Sequence, residues 1–482
     1  MQFVLILAVL SILAIAEYGQ QSLAANPTGA LVAAVAGIAA VVGAAWFLAL
    51  RTANGLRSNP HRRCLLLRQF ALQRKLHAVL WLCVTGGLML GLDWVRVVHF
   101  NWNLRGAFLA DEFLILLPLM LPLVLSWAAF YEVDRALREL RGQADVDDLQ
   151  TGSRLGYLDF HLRHVVGLWL LPLGILLVSR DAVELVRPGL LEGEHGWVVL
   201  LAPVAAVFLF FPVMLRYLWR AEPLEEGPLR NRLEAAAQRW GLQVQDILVW
   251  NTDGMVLNAA VAGFLPRLRY VFLSDGLIGH MTDEEIEAVF GHEIGHIRHH
   301  HVFLRAIVML APISLGMIWQ YLASDAAAAT VPASNATLTP AVEGALLGLF
   351  LISAYIAAVF GFYSRRLERQ ADLFGCRVAS ASGETALAAV SEGFSRASPH
   401  LNRQGIATFI SALEKLAALN GIGRRNQGWQ HWSIADRVDY LEKVAEDPAV
   451  EQRSQRQIRW LASVIVGIAC AGLVYPVVAL LG

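Results

Sequence analysis

Residues 282–300 read TDEEIEAVFGHEIGHIRHH, and they decide what kind of molecule this is. Thr282 and Glu285 stand at capping-box spacing, where a threonine side chain and a glutamate three residues on satisfy backbone N–H groups at a helix start. Ile286, Val289, Phe290 and Ile297 follow at helical spacing, so an amphipathic helix with these four toward a core is expected. Five histidines fall within ten positions: His292, His296, His299, His300 and His301. Positions i and i+4 share a helix face, so His292 and His296 can close on one ion with Glu293 beside it. This is the H-E-x-x-H arrangement, in which the glutamate acts as general base to a zinc-bound water. The other three histidines suit a polar helix end facing water beside the apolar run that follows. A metzincin needs glycine at 299 and histidine at 302; His299 and Val302 stand there instead.

Hydrolytic zinc takes three protein ligands and leaves a position for water. The third candidate lies about seventy residues downstream in SRRLERQADLFG (364–375), where Glu368 and Asp372 are one helical turn apart. Glu368 can complete a set of two histidines and one carboxylate. Asp372 can orient a zinc histidine through its other ring nitrogen. Alone, this stretch reads equally as a solvated helix end in which Arg365, Arg366 and Arg369 pair the acids. Paired with HEIGH on the same side of a membrane, the ligand assignment is favoured, with one zinc per chain.

The chain's bulk composition supplies the membrane. Of 482 residues, 56% are hydrophobic and only 16% charged, against about a quarter charged in soluble chains. The net charge of −1 gives no hint of nucleic-acid binding. Cys64, Cys83, Cys376 and Cys470 lie far apart and form neither a disulfide framework nor a thiolate zinc site. Eight apolar runs are long enough to span a bilayer, near 29–50, 76–96, 107–130, 163–180, 196–218, 303–323, 341–363 and 458–481. A shorter run at 2–16 reads as an uncleaved anchor or, given AIA at 14–16, as a signal peptide. Arg51, Arg57, Arg62, Arg63, Arg68, Arg74 and Lys75 crowd one loop, and Arg135, Arg138, Arg141, Arg154 and Arg163 another. The alternate loops are poor in basic residues, including SDAAAATVPASNATLTP (324–340) with its Asn335 sequon. The rich loops are therefore cytoplasmic, and parity puts 219–302 and 364–457 there too. Three regions follow: membrane segments at 1–218, a catalytic region at 219–457 interrupted by the 303–363 hairpin, and a final span at 458–482. Asp111 and Glu112 are expected at the outer interface.

Within 222–301, PLRNRLEAAAQRWGL reads as an amphipathic helix closed by Gly241. DILVW (246–250) and LRYVFLS (268–274) read as strands, with NAAVAGF between them. By order and content, NAAVAGF, HEIGH, SRRLERQAD and HWSIADRV resemble the membrane zinc peptidases that include HtpX-type heat-shock proteases and type I CAAX prenyl endopeptidases. The resemblance covers about residues 225–445. It implies that Glu368 is the third zinc ligand, that Asn258 and Ala259 on an edge strand hold substrate backbone, and that His431 stabilises the transition state. Ser433 and Arg437 follow His431 in the same pattern, Arg437 toward substrate; Trp432 stands where proline is common. Residue chemistry alone leaves Asn258 readable as a turn residue and His431 as an interfacial histidine.

The expected molecule is mainly α: a polytopic membrane protein of about eight or nine spans carrying a small α+β zincin-like domain at the cytoplasmic face. Its expected activity is that of a zinc metalloendopeptidase on membrane-associated polypeptides, in quality control at a bacterial inner membrane. Processing of lipidated C-terminal tails is the alternative within the resemblance. A zinc-handling transporter would need ionisable residues deep in several spans, and these spans are nearly free of them.

Overall fold

Helices built from small apolar residues can approach closely, and α2 shows this along its whole length. The structure, a computed structural model, describes residues 2–18, 24, 26–140, 152–191, 196–254, 256–308, 340–381, 401–421, 423–428 and 431–481. Helices α1 (Gln2–Tyr18), α2 (Pro27–Ser58), α3 (Arg63–Gly86) and α4 (Ala110–Leu140) begin the chain. Asn26 caps α2 by accepting from the Gly29 N–H, with Pro27 at the first helical position. Its buried stripe Ala34, Val41, Ala45, Ala49, Ala53 and Leu56 packs against α4. Within α4, Pro118 and Pro122 cannot donate, which orphans the carbonyls of Leu114 and Pro118. Trp94 Nε1 donates to the first at 3.1 Å and the Thr85 hydroxyl to the second at 3.5 Å.

Helices α5 (Arg154–His161), α6 (Leu168–Val186) and α7 (Gly196–Leu218) follow. Four described helical stretches are long and apolar enough to cross a membrane: Pro27–Ser58, Ala110–Leu140, Arg154–Val186 and Val198–Leu218. Pro60–Gly91 and Trp94–Asn101 make a fifth if counted together, but they bend by 60° around Asp93, whose φ of +53° is left-handed. The expected straight run at 76–96 is thus a bent one. Asp111 and Glu112 are buried within the protein: Asp111 accepts from the Gly106 N–H at 2.9 Å, and Glu112 pairs with Arg180. The expected span at 303–323 passes beyond the described residues after 308, as do the 324–339 loop and its sequon.

The chain divides into two compact units: the first runs through Phe208 and also takes in the start of the helix at Pro340, up to Leu349, and the second holds the rest from Leu209 on. The second carries β1 (Glu222–Pro223), α8 (Pro228–Arg239), β2 (Asp246–Trp250), β3 (Ala259–Ala262), β4 (Tyr270–Ser274), α9 (Asp275–His280) and α10 (Asp283–Arg298). After residues 301–308, which are helical, come α11 (Pro340–Tyr355), α12 (Gly361–Ala381), α13 (Arg403–Leu419), α14 (Ile434–Glu446) and α15 (Pro448–Leu481). The sheet order is β1-β2-β4-β3, with β2 and β4 parallel and the outer pairs antiparallel. Central β4 is buried at every residue, as a strand covered on both faces must be. NAAVAGF, expected between two strands, itself holds β3, the edge strand. Gly263 ends it at φ +118°, where a Cβ would lie 2.5 Å from the Leu268 carbonyl oxygen. One core joins the sheet to α10 and α12 through Val271, Leu273, Ile286, Phe290, Phe374 and Val378. Ile294 is buried in it, whereas Ile297 is only half-buried.

Candidate metal centre

The capping box fixes where α10 starts and hence which faces its histidines share. Thr282 accepts from the Glu285 N–H, and the Glu285 carboxylate accepts from the Thr282 N–H at 3.0 Å. Two and a half turns on, His292 and His296 point the same way, both buried. Glycines let the third donor approach. On α10, a Cβ at Gly291 would lie 2.6 Å from Val378 Cβ, and one at Gly295 2.9 Å from Phe374 Cβ. Facing them on α12, a Cβ at Gly375 would lie 2.9 Å from the Ala288 carbonyl oxygen. The two helices therefore touch backbone to backbone, and α12 delivers Glu368 to the histidine pair.

His292 Nε2 and His296 Nε2 are 3.2 Å apart, and they lie 3.4 and 3.5 Å from Glu368 Oε2 and Oε1. Ligands at about 2.0–2.1 Å in a tetrahedron stand about 3.3 Å from one another, so one zinc fits between these three. Among the described residues this is the one histidine–carboxylate group with its donor atoms so gathered. Asp372 Oδ1 lies 2.9 Å from His292 Nδ1 and orients that ring, which also stacks on Phe409. Asp372 in turn is gripped through both oxygens by Arg437, Nε at 2.9 Å from Oδ2. Arg437 is 9% exposed, and its guanidinium supports His292 from behind through Asp372.

Charges follow from this packing. Burial opposes charge on His292, but Asp372 and Glu368 outweigh it and raise the imidazole to about 10. His296, buried next to His292, is held below the ordinary imidazole range. Burial likewise opposes ionisation of Glu368 and Asp372, yet the histidines around the first and Arg437 beside the second keep both carboxyls low. At Glu293 desolvation outweighs the pull of His292, Arg305 and His431 and pushes the carboxyl up to about 7.

The remaining expected residues divide. His431, its side chain 55% exposed, reaches the site with Nδ1 2.9 Å from Glu368 Oε2. Ala259 pairs with Leu273 at the start of β3, which packs on α10, and Asn258 precedes it at the exposed end of the edge strand. Two neighbours escaped sequence reasoning. Arg305 approaches Glu368 Oε1 at 2.6 Å. His301, expected to face water, is fully buried with Nδ1 2.9 Å from His296 Nδ1. The cause is His300, whose φ of +56° breaks the helix and turns the next residue inward. A non-glycine left-handed residue has no strong sequence signal.

Residues 223–426 match the model of peptidase family M48. Protease HtpX of Legionella pneumophila is 28% identical over 138 residues, which are 28% of this chain and 49% of that protein. An HtpX homologue of Neisseria meningitidis is 34% identical over 73 residues, 15% of this chain and 25% of that protein. This chain thus spans half or less of the length of those two relatives. The HtpX homologue of Methanocaldococcus jannaschii is 24% identical over 249 residues, 51% of this chain and 79% of its own. The crystal structure of S. mikatae Ste24p is also similar, at 16% identity and a TM-score of 0.48, over 86% of this chain and 99% of that one. The matched segment holds HEIGH and the glutamate that faces it, and it is through this segment that the chain is similar to peptidase family M48 and to the HtpX proteases.

Proposed function

We propose that the chain is a zinc-dependent endopeptidase that hydrolyses peptide bonds of membrane-associated proteins at the cytoplasmic face, in quality control at a bacterial inner membrane. The observation that carries this is the triangle of His292, His296 and Glu368 donors, 3.2–3.5 Å on a side, with Glu293 on the same helix turn. Under this proposal residues 219–457 form a zincin-like catalytic domain around the 303–363 hairpin, and the whole chain has eight or nine spans.

Zinc held there would supply a Lewis acid that polarises a carbonyl and acidifies water. Glu293, on the same helix turn as His292 and His296, takes a proton from the attacking water and returns it to the departing amine. His431 and Arg305 approach the two oxygens of Glu368 separately, and in this reading they balance negative charge on a substrate oxygen. An extended substrate can add to β3, an edge strand among the described residues, beside Asn258 and Ala259 through main-chain hydrogen bonds.

The test is cleavage of an unfolded membrane protein by the purified chain in detergent with zinc. Wild type is expected to cut it, and Glu293→Gln to retain zinc while losing at least about 100-fold in rate, the scale of one general base. Equal cleavage by both proteins would remove Glu293 from the mechanism.

A further inference from the structure

The outward nitrogens of the two zinc-facing histidines are held by different chemistry. His292 turns Nδ1 to a carboxylate, Asp372, whereas His296 turns Nδ1 to a second imidazole, that of His301, at 2.9 Å. Beyond it, His301 Nε2 lies 2.9 Å from Gln370 Oε1, and the Gln370 amide nitrogen donates to Gln455 Oε1. His301 is 0% exposed and Gln370 is buried, so water cannot stand in for either.

We propose that His301 is the positioning residue for His296, with Gln370 and Gln455 fixing its tautomer; this rests on the metal-site reading above. An amide oxygen only accepts, so His301 Nε2 must carry the hydrogen. A neutral imidazole then has a bare Nδ1, and that nitrogen accepts from His296 Nδ1–H. His296 is left with its lone pair on Nε2, the atom that faces His292 and Glu368. Four side chains thus have one consistent proton arrangement, and it frees the single lone pair a metal needs. The arrangement is built from four elements, with His296 on α10. His301 opens the 301–308 helix after the left-handed turn at His300, and Gln455 comes from α15. Gln370 sits on α12 two residues past Glu368, so the helix that brings the third ligand also orients the second.

The experiment is a competition titration of zinc against a chromophoric chelator, using the full chain in detergent at fixed pH. His301→Leu leaves a buried N–H of His296 without an acceptor and is expected to weaken zinc binding about 10- to 100-fold. His301→Asn, whose Oδ1 can replace Nδ1 as acceptor, is expected to stay within a few-fold of wild type. Gln370→Met keeps the shape and removes the second acceptor, with a severalfold loss expected. Thermal unfolding of the metal-free proteins reads packing damage separately. Wild-type affinity in His301→Leu, or equal losses in His301→Leu and His301→Asn, would overturn the inference. So would unchanged affinity in Gln370→Met. A His292→Ala protein that binds zinc as wild type does would overturn the metal-site reading instead, and this inference with it.

Discussion

Arg437 and Asp372 lie 65 positions apart in sequence, and each makes sense only with the other. A buried carboxylate next to His292 needs a counter-charge, and the guanidinium fork meets both of its oxygens. Arg437→Ala would strand that carboxylate, at a cost of about 3–5 kcal/mol in unfolding free energy. Arg437→Lys keeps the charge and loses the fork, so it should recover only part of the stability. Denaturant unfolding of the three proteins in detergent checks the order; equal stability of wild type and Arg437→Ala would contradict it. Legibility at this scale followed spacing along the chain. His292, Glu293 and His296 announce themselves at i, i+1 and i+4, and Glu368 and Asp372 by one turn of helix. The Arg437–Asp372 pair, Arg305 at Glu368 and His301 at His296 depend on tertiary contacts and on one left-handed residue, which no local pattern encodes.

Helix α10 sits where it does because of its two ends and its missing side chains. Gly291→Val would drive methyl groups into Val378, whose Cβ is already 2.6 Å from where a Cβ would be. Overpacking of this kind costs about 1–3 kcal/mol. It should also push α12 away and weaken zinc binding, because Glu368 rides on that helix. Gly279→Ala in α9 is the control: nothing lies within 4 Å of its Cβ, so both stability and zinc affinity should hold. Equal zinc affinity in Gly291→Val and wild type would show that the close approach does not set the site. At the helix start, Glu285 also accepts from Ser411 and pairs with Lys415 of α13. Burial opposes its charge, yet Lys415 and the Thr282 and Ser411 hydrogen bonds hold its carboxyl below the ordinary range. A depressed carboxyl stabilises the fold above its unfolded pKa of about 4.3, and loses that as pH falls through the folded value. Glu285→Gln should therefore lower stability at pH 7 and differ less from wild type in acid, as unfolding at the two pH values would reveal. The capping box, α8 with Gly241, and the β-branched β2 and β4 were all readable. Strand β3 was readable only through the family resemblance, because Ala-Ala-Val-Ala has little strand propensity and is held by pairing with β4.

For the whole molecule the decisive signal is the distribution of arginine. Seven basic residues from Arg51 to Lys75 lie between α2 and the bent pair after it or on their ends, whereas the turn after α6 holds Arg187. Basic residues near a span resist translocation, so the first of these loops should be cytoplasmic and the second outside. If the apolar stretch Val198–Leu218 then crosses back before Glu222, the whole sheet and α10 should lie inside. Single-cysteine proteins test this directly, with a membrane-impermeant maleimide applied to intact and permeabilised cells. Native Cys64 is exposed within the basic loop and should label only after permeabilisation, with the other three cysteines replaced by serine. Leu190→Cys, at an exposed turn position, should label in intact cells, and Glu225→Cys should again require permeabilisation. The pattern of all three matters, because a site that labels outside at Glu225→Cys needs an odd change in the number of spans before it. That outcome would leave the zinc triangle intact and move the chemistry to the opposite face. Substrates would then have to be drawn from that side, and the quality-control proposal at the cytoplasmic surface would fall while the peptidase proposal stood.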